Sequence, residues 1–324
     1  MSLMASQIAP ALLLWDETTG SAARLLTDSE NQIFIIETPD RGAFVLRVHR
    51  VGYQTRAAIE SELAWLEALQ RDTDIVLSHA LAGRDGRLVQ AFETAEGEPR
   101  MAVLFGFIAG EEPSIESDLT ATFRTLGRYA ATMHVHALNW QKPAGFERPE
   151  IKAATILDVD SPWGDWRMAP GVDPSVRRVL NRLDAALWRR LADYGVGEDR
   201  FGLIHADMRL GNLLQDAGSL ALIDFDDCGF SWFTYDFAAA ISFHEMHPSV
   251  PALKAAWLDG YRPIRALSPA DLASMDAMVM LRRMALLAWI GTHIDTRLAQ
   301  THVEGFAAGT AELAERYLRG PLWS

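Results

Sequence analysis

Residues 203–240 read LIHADMRLGNLLQDAGSLALIDFDDCGFSWFTYDFAAA, and the fold turns on them. "FGLIHAD" places a short strand before Asp207 and "SLALIDF" another before Asp224, with "DAG" as the turn between them. Short aliphatic runs bounded by Asp, Asn and Gly are the mark of strands ending in loops. Carboxylates at such strand ends are only partly buried, and the backbone can aim them. An acidic pair beside the carboxamide of Asn212 is an oxygen-donor set suited to a hard divalent cation. Mg2+ takes one or two ligands from protein and the rest from phosphate and water. A further aspartate can then orient a hydroxyl and accept its proton while phosphoryl charge is neutralised.

Working outward, "NQIFIIET" and "GAFVLRVHR" are β-branched and aromatic, and the turn-like "PDRG" between them predicts an antiparallel hairpin. "RAAIESELAWLEALQ", residues 56–70, has helical periodicity with Ile59, Leu63, Leu66 and Leu69 on one face. Further strands are expected at "RLVQAFE" and "RMAVLFGFI". From Asp118 the texture becomes helical: "DLTATFRTLGRYAATMHVHALNW" reads as a long capped helix and "PSVRRVLNRLDAALWRRLADYG" as another, opening on a proline. Residues 142–174, rich in Pro, Gly and Trp, read as an irregular connection. The expected class is α+β: an antiparallel sheet with one long helix over residues 1–108, then a mainly helical region over 109–324 containing one short strand pair.

Composition excludes several classes. With 324 residues, 49% of them hydrophobic, the chain has ample material for one large domain or two lobes. A single cysteine, Cys228, rules out an internal disulfide framework and suits a reducing compartment. The start, "MSLMASQIAP", lacks the basic and apolar regions of a signal peptide. "MVMLRRMALLAWIG" is apolar but is interrupted by Arg282 and Arg283 and is too short to span a bilayer, so a buried helix is expected. A formal charge of −13 opposes nonspecific nucleic-acid binding. The expectation is a cytoplasmic protein with no membrane or nucleic-acid partner, monomeric or homodimeric.

"HADMRLGN" followed by "IDFDD" resembles the catalytic and metal-binding motifs of the aminoglycoside phosphotransferase and choline kinase-like group, which has a bilobal protein-kinase-like fold. Asp207 and Asn212 show the five-residue offset of kinase catalytic loops. The resemblance implies an ATP- and Mg2+-dependent kinase. In it Asp207 is the catalytic base, Asn212 and Asp224 are metal ligands, and His205 positions the loop. Arg209, two residues after Asp207 at a position where the family pattern varies, is a candidate to approach the transferring phosphate or a phosphorylated product. "FVLRVHR" is similar to the strand bearing the nucleotide-binding basic residue, here Arg47 where many kinases have lysine, and "ESELAWLEAL" to the helix bearing its partner, Glu62. Ser29 to Asn31 would form the hairpin tip over the phosphates, although a full glycine-rich loop is absent. "FGFIAG", with Phe105 and Phe107, would contact adenine.

Bland readings stand beside these. Aspartates favour turns, so Asp226 is either a second metal-facing carboxylate or a structural one, and Asp227 caps or faces solvent. Asp236 caps the next helix or braces the catalytic loop. His134 and His136, two apart on a helix, point away from each other. Trp232, Phe233, Tyr235 and Trp257 are either a cage for a quaternary ammonium or core. The segments around Asn31 and Asp207 also resemble the homoserine kinase-like and bacterial stress-response kinase branch. The acceptor is therefore homoserine, an amino alcohol or an aminoglycoside-like molecule, with a protein serine or threonine as the alternative. A kinase-like scaffold that binds nucleotide without turnover is the non-enzyme reading.

Overall fold

The hairpin 31–49 alternates so that Phe34, Ile36, Phe44, Leu46 and Val48 share one face of the sheet, and Asn31, Arg47 and His49 share the other. A computed structural model describes residues 3–28, 31–216 and 218–323. It divides into two compact units, 1–110 with 141–148 and 214–226, and the remainder. The first unit is built on an antiparallel sheet of β1 (Ala22–Asp28), β2 (Asn31–Thr38), β3 (Gly42–His49), β5 (Ala80–Leu81), β6 (Gln90–Glu93) and β7 (Pro99–Gly106). Its order is β1-β2-β3-β7-β5, with β6 also pairing β7. The apolar face is covered by the N-terminal segment, with Leu3, Ile8, Leu12 and Trp15 all buried against it. Helix α1 (Arg56–Asp72) opens on Thr55, whose side chain accepts from the Ala58 amide, and buries Ile59, Glu62, Leu63, Trp65, Leu66 and Leu69. β4 (Val76–Leu77), β9 (Leu213–Asp216) and β10 (Ser219–Leu222) form a separate three-stranded sheet.

Two expectations change here. β1 was implied only by the hairpin tip expected over Ser29 to Asn31 and not read as a strand: its side chains are exposed at nearly every residue, so it has no apolar alternation to betray it. The short strand pair is also different. The strand before Asp207, β8 (Phe201–Ile204), pairs with β11 (Gly229–Trp232), whereas β9 and β10 flank the "DAG" turn.

The second unit is mainly helical: α2 (Thr120–Asn139), α3 (Ala153–Leu157), α4 (Pro174–Tyr194), α5 (Tyr235–Ala240), α6 (Val250–Tyr261), α7 (Pro269–Thr292), α8 (Arg297–His302) and α9 (Phe306–Arg319). α4 starts where the Asp173 side chain accepts from the Ser175 and Val176 amides, with Pro174 at the first helical position, and stops at Gly195, φ 74°. α7 carries the apolar run around Arg282 and is buried along almost all of it from Met275 to Ile290. Among the described residues no helix is long and apolar enough to cross a membrane. α2 and α6 approach closely at Gly127 and Gly260. A methyl group on Gly127 would stand 2.0 Å from the Trp257 carbonyl oxygen, and one on Gly260 1.8 Å from that of Arg124.

Candidate active site

In the second unit β8 delivers the chain to a loop in which Ala206 has φ 67°, a left-handed conformation that costs an alanine about 1–2 kcal/mol. What holds it there is Asp236 in the first turn of α5, whose carboxylate accepts from the Ala206 amide at 2.7 Å and the His205 amide at 3.4 Å. Asp236 is in turn fixed by His134 of α2, Nε2 to Oδ2 at 2.9 Å, while His134 Nδ1 meets the Tyr261 hydroxyl at 2.8 Å. Burial pushes the His134 imidazole below its usual pKa despite the Asp236 contact. Thus Asp236 braces the loop from inside.

That loop presents Asp207. The carboxylate is buried and fully engaged. Oδ2 accepts from Asn212 Nδ2 at 2.7 Å and from Arg209 Nε at 3.3 Å, and Oδ1 accepts from Arg282 Nη2. Asn212 Nδ2 also donates to the Asp207 carbonyl at 2.8 Å, closing the five-residue loop on itself. The Asp207 amide donates to His205 Nδ1 at 3.2 Å, which gives His205 a loop-holding contact. Burial raises the carboxyl, but Arg282, then Arg209, His205 and Asn212, outweigh it and hold Asp207 below the ordinary carboxylate range. A base ionised at neutral pH results.

The first unit carries the other candidates. Arg47 and Glu62 form a buried bidentate pair, Nη1–Oε1 2.9 Å and Nη2–Oε2 2.7 Å, with the guanidinium 5.1 Å from the centroid of the Phe105 ring. Burial pushes the Glu62 carboxyl up and Arg47 opposes it. For Arg47 burial works against the charge, but Glu62, Asp226 and Asp224 prevail and its pKa is raised. The two bonds make the charged pair the state the fold holds; either partner alone would be a stranded charge.

Asp224 ends β10's approach with φ 61°, a conformation aspartate tolerates, and its side chain is 44% exposed with Oδ1 3.6 Å from Arg47 Nη1. Phe225 is buried edge-on against Trp65 at 5.6 Å between centroids, pinning the loop to α1. Asp226 turns inward: Oδ2 accepts from Asn31 Nδ2 at 2.7 Å, and its carbonyl accepts from Arg148 and from Gln54 at 3.3 Å. Among the described residues, Asp226 Oδ1, Asn31 Oδ1 and both ring nitrogens of His49 are buried without a hydrogen-bond partner. Unpaired buried oxygens of this kind mark a place for an ordered water or a cation.

Among the described residues no three His, Cys, Asp or Glu side chains converge into a ready-made cage. A Mg2+ ion carried by phosphate does not need one. The exposed carboxylate of Asp224 and Oδ1 of Asp226, which lies 4.0 Å from Arg47 Nη1, are hard donors that fit it. Phe107 is 46% exposed beyond β7, while Phe105 is buried behind Arg47. Ser29 lies outside the described residues. Trp232, Phe233, Tyr235 and Trp257 are each at most 2% exposed and belong to the core, not to a cage.

Two contributors escaped the sequence reading. Arg282 appeared there only as a break in an apolar run. Arg148 sat in a stretch read as an irregular connection. Asn31, expected at the hairpin tip over the phosphates, donates its amide to Asp226. A signal existed for Arg282: an arginine inside an otherwise buried helix demands a partner.

Residues 21–277 match the model of the APH, or phosphotransferase enzyme, family. The solved structure of a microcompartment-associated aminopropanol kinase superposes with a TM-score of 0.87 at 43% identity, covering 96% of each chain. The amicoumacin kinase of Bacillus subtilis (strain 168) is 26% identical over 275 residues, 81% of this chain and 78% of its own. An amicoumacin kinase structure in complex with AMP-PNP, Ca2+ and Ami gives a TM-score of 0.77 at 20% identity, covering 97% of this chain and 92% of that one. The chain belongs to the phosphotransferase enzyme family and has its protein-kinase-like fold.

Proposed function

We propose that this family member moves the terminal phosphoryl group of ATP to the hydroxyl of a small amino alcohol of the aminopropanol kind. The observation that carries the acceptor class is the 43% identity to the aminopropanol kinase over 96% of both chains. The phosphotransfer reading is supported by an ionised, fully oriented Asp207 beside Asn212. In this reading Asp207 accepts the hydrogen bond of the acceptor hydroxyl and takes its proton late in the transfer, so a raised pKa is not needed. Arg209, whose bond to Asp207 is long and whose side chain is 26% exposed, turns to the transferring phosphoryl oxygens. Arg47, held by Glu62, neutralises the non-transferred phosphates. Asn212 of the second unit and Asp224 and Asp226 of the first would supply oxygen ligands to Mg2+, and Phe107 would offer apolar surface to adenine. Bound Mg2+ supplies charge neutralisation on the phosphate oxygens.

The test is transfer of labelled terminal phosphate from ATP–Mg2+ to a panel of aminopropanol, ethanolamine, choline, homoserine, an aminoglycoside and a generic protein, with Asp207→Asn as control. The expected result is label on aminopropanol or ethanolamine, reduced by about 10²–10⁴-fold in the variant. Label on the protein alone would replace the small-molecule reading with a protein kinase. ATP–Mg2+ binding with no transfer to any acceptor would favour the scaffold.

A further inference from the structure

We infer that Arg282 is a positioning residue for this reaction: from α7 it commits Oδ1 of Asp207, and thereby makes Oδ2 the oxygen that receives the acceptor hydroxyl. The inference rests on the reading above, in which Asp207 is the base.

The geometry is asymmetric. Oδ1 is held by Arg282, which is 5% exposed and has its own Nε anchored on Ser242 Oγ at 3.0 Å. Burial works against the Arg282 charge, but Tyr235 of α5, through a hydrogen bond, and the carboxylates of Asp207 and Asp227 outweigh it. Nothing entering from solvent displaces such a contact cheaply, because it would leave a buried guanidinium with one partner lost. Oδ2 has one short bond, from buried Asn212, and one long bond, 3.3 Å, from the partly exposed Arg209. A hydroxyl that replaces Arg209 at Oδ2 finds a carboxylate already fixed in rotation, and frees the Arg209 guanidinium for the phosphoryl group. Orientation of this kind is a large part of catalysis in phosphoryl transfer, where the protein does little covalent chemistry.

The next residue is a built-in comparison. Arg283 is equally buried in the same helix, but it turns to Glu245, to Thr310 Oγ1 at 3.0 Å and to the Phe306 ring, without touching Asp207. Loss of Arg283 therefore reports what a buried arginine in α7 does for folding alone.

The experiment uses the full chain with ATP–Mg2+ and the acceptor identified by the panel. It compares Arg282→Gln, Arg282→Lys, Arg282→Ala and Arg283→Gln, and repeats Arg282→Gln in the Asp207→Asn background. Expected are a fall in kcat of about 10²-fold for Arg282→Gln, with KM for ATP changed less than about twofold, and partial retention in Arg282→Lys. Guanidinium added to Arg282→Ala should restore part of the rate. In the Asp207→Asn background the Arg282 change should cost nothing further, because Arg282 acts through Asp207. Equal and additive losses from Arg282→Gln and Arg283→Gln, or a second full loss on top of Asp207→Asn, would overturn the inference. Should Arg282→Gln not fold, Arg282→Lys and the guanidinium rescue decide it alone. Full activity in Asp207→Asn would instead sink the underlying reading and is seen before any Arg282 variant is assayed.

Discussion

At Gly211 the side chain of a neighbour explains a missing side chain. A methyl group there would stand 2.2 Å from Arg209 Nη1 and 3.5 Å from Glu112 Oε1. The clash is with the far end of a flexible residue, so the backbone need not move; the guanidinium must. Gly211→Ala is therefore expected to unfold within a degree or two of the wild type by thermal melt while kcat/KM for the acceptor drops about tenfold, since Arg209 loses its place beside Asp207. A large fall in melting temperature with kcat/KM unchanged would show instead that Gly211 serves the loop's backbone. At this scale the "HADMRLGN" and "IDFDD" motifs already singled out Asp207, Asn212 and Asp224, because their spacing is local. Their long-range partners were not legible. Arg282 is 75 residues from Asp207, and adjacent helical positions point about 100° apart. Nothing in "MLRRMA" says which arginine turns to Asp207 and which to Glu245.

Elements were legible where local chemistry marks them. β2 and β3 emerged almost to the residue because each is a short β-branched and aromatic run with the turn-like "PDRG" between them, and α4 because Pro174 and Gly195 mark its ends. β1 left no pattern because an edge strand with exposed side chains needs none. β8 and β11 pair across more than twenty residues, a partnership that strands of four residues do not encode locally. The packing of α2 on α6 was similarly silent, yet its glycines make it testable. A methyl group at Gly260 meets backbone, the Arg124 carbonyl at 1.8 Å, so two helices must move apart. Gly260→Ala should destabilise by about 3 kcal/mol, roughly 5–10 °C in melting temperature. An unchanged melt would mean the helices separate freely and that their close approach contributes little.

For the whole molecule the buried histidines couple stability to pH, and the sign can be worked out. Burial lowers His49 from 6.5 to about 3, aided by Arg47 and opposed by Asp226. Burial also lowers His134, against the pull of Asp236. A folded-state pKa below the unfolded one means that the unfolded chain binds a proton that the native chain refuses. Stability is therefore complete above pH 6.5 and falls as the pH drops toward 3, by up to about 1.4 kcal/mol per pH unit for each such group. Asp207, whose carboxyl is held low, adds its loss only below the ordinary carboxylate range. Between pH 7.5 and 5.5 the urea midpoint should consequently fall, and His49→Gln should flatten the slope while lowering the plateau, because glutamine cannot be protonated. A midpoint independent of pH across that window would mean that His49 and His134 take up the proton in the native state as readily as in the unfolded one. A slope unaltered by His49→Gln would assign the whole dependence to His134 and its bonds with Asp236 and Tyr261, the brace behind the Asp207 loop.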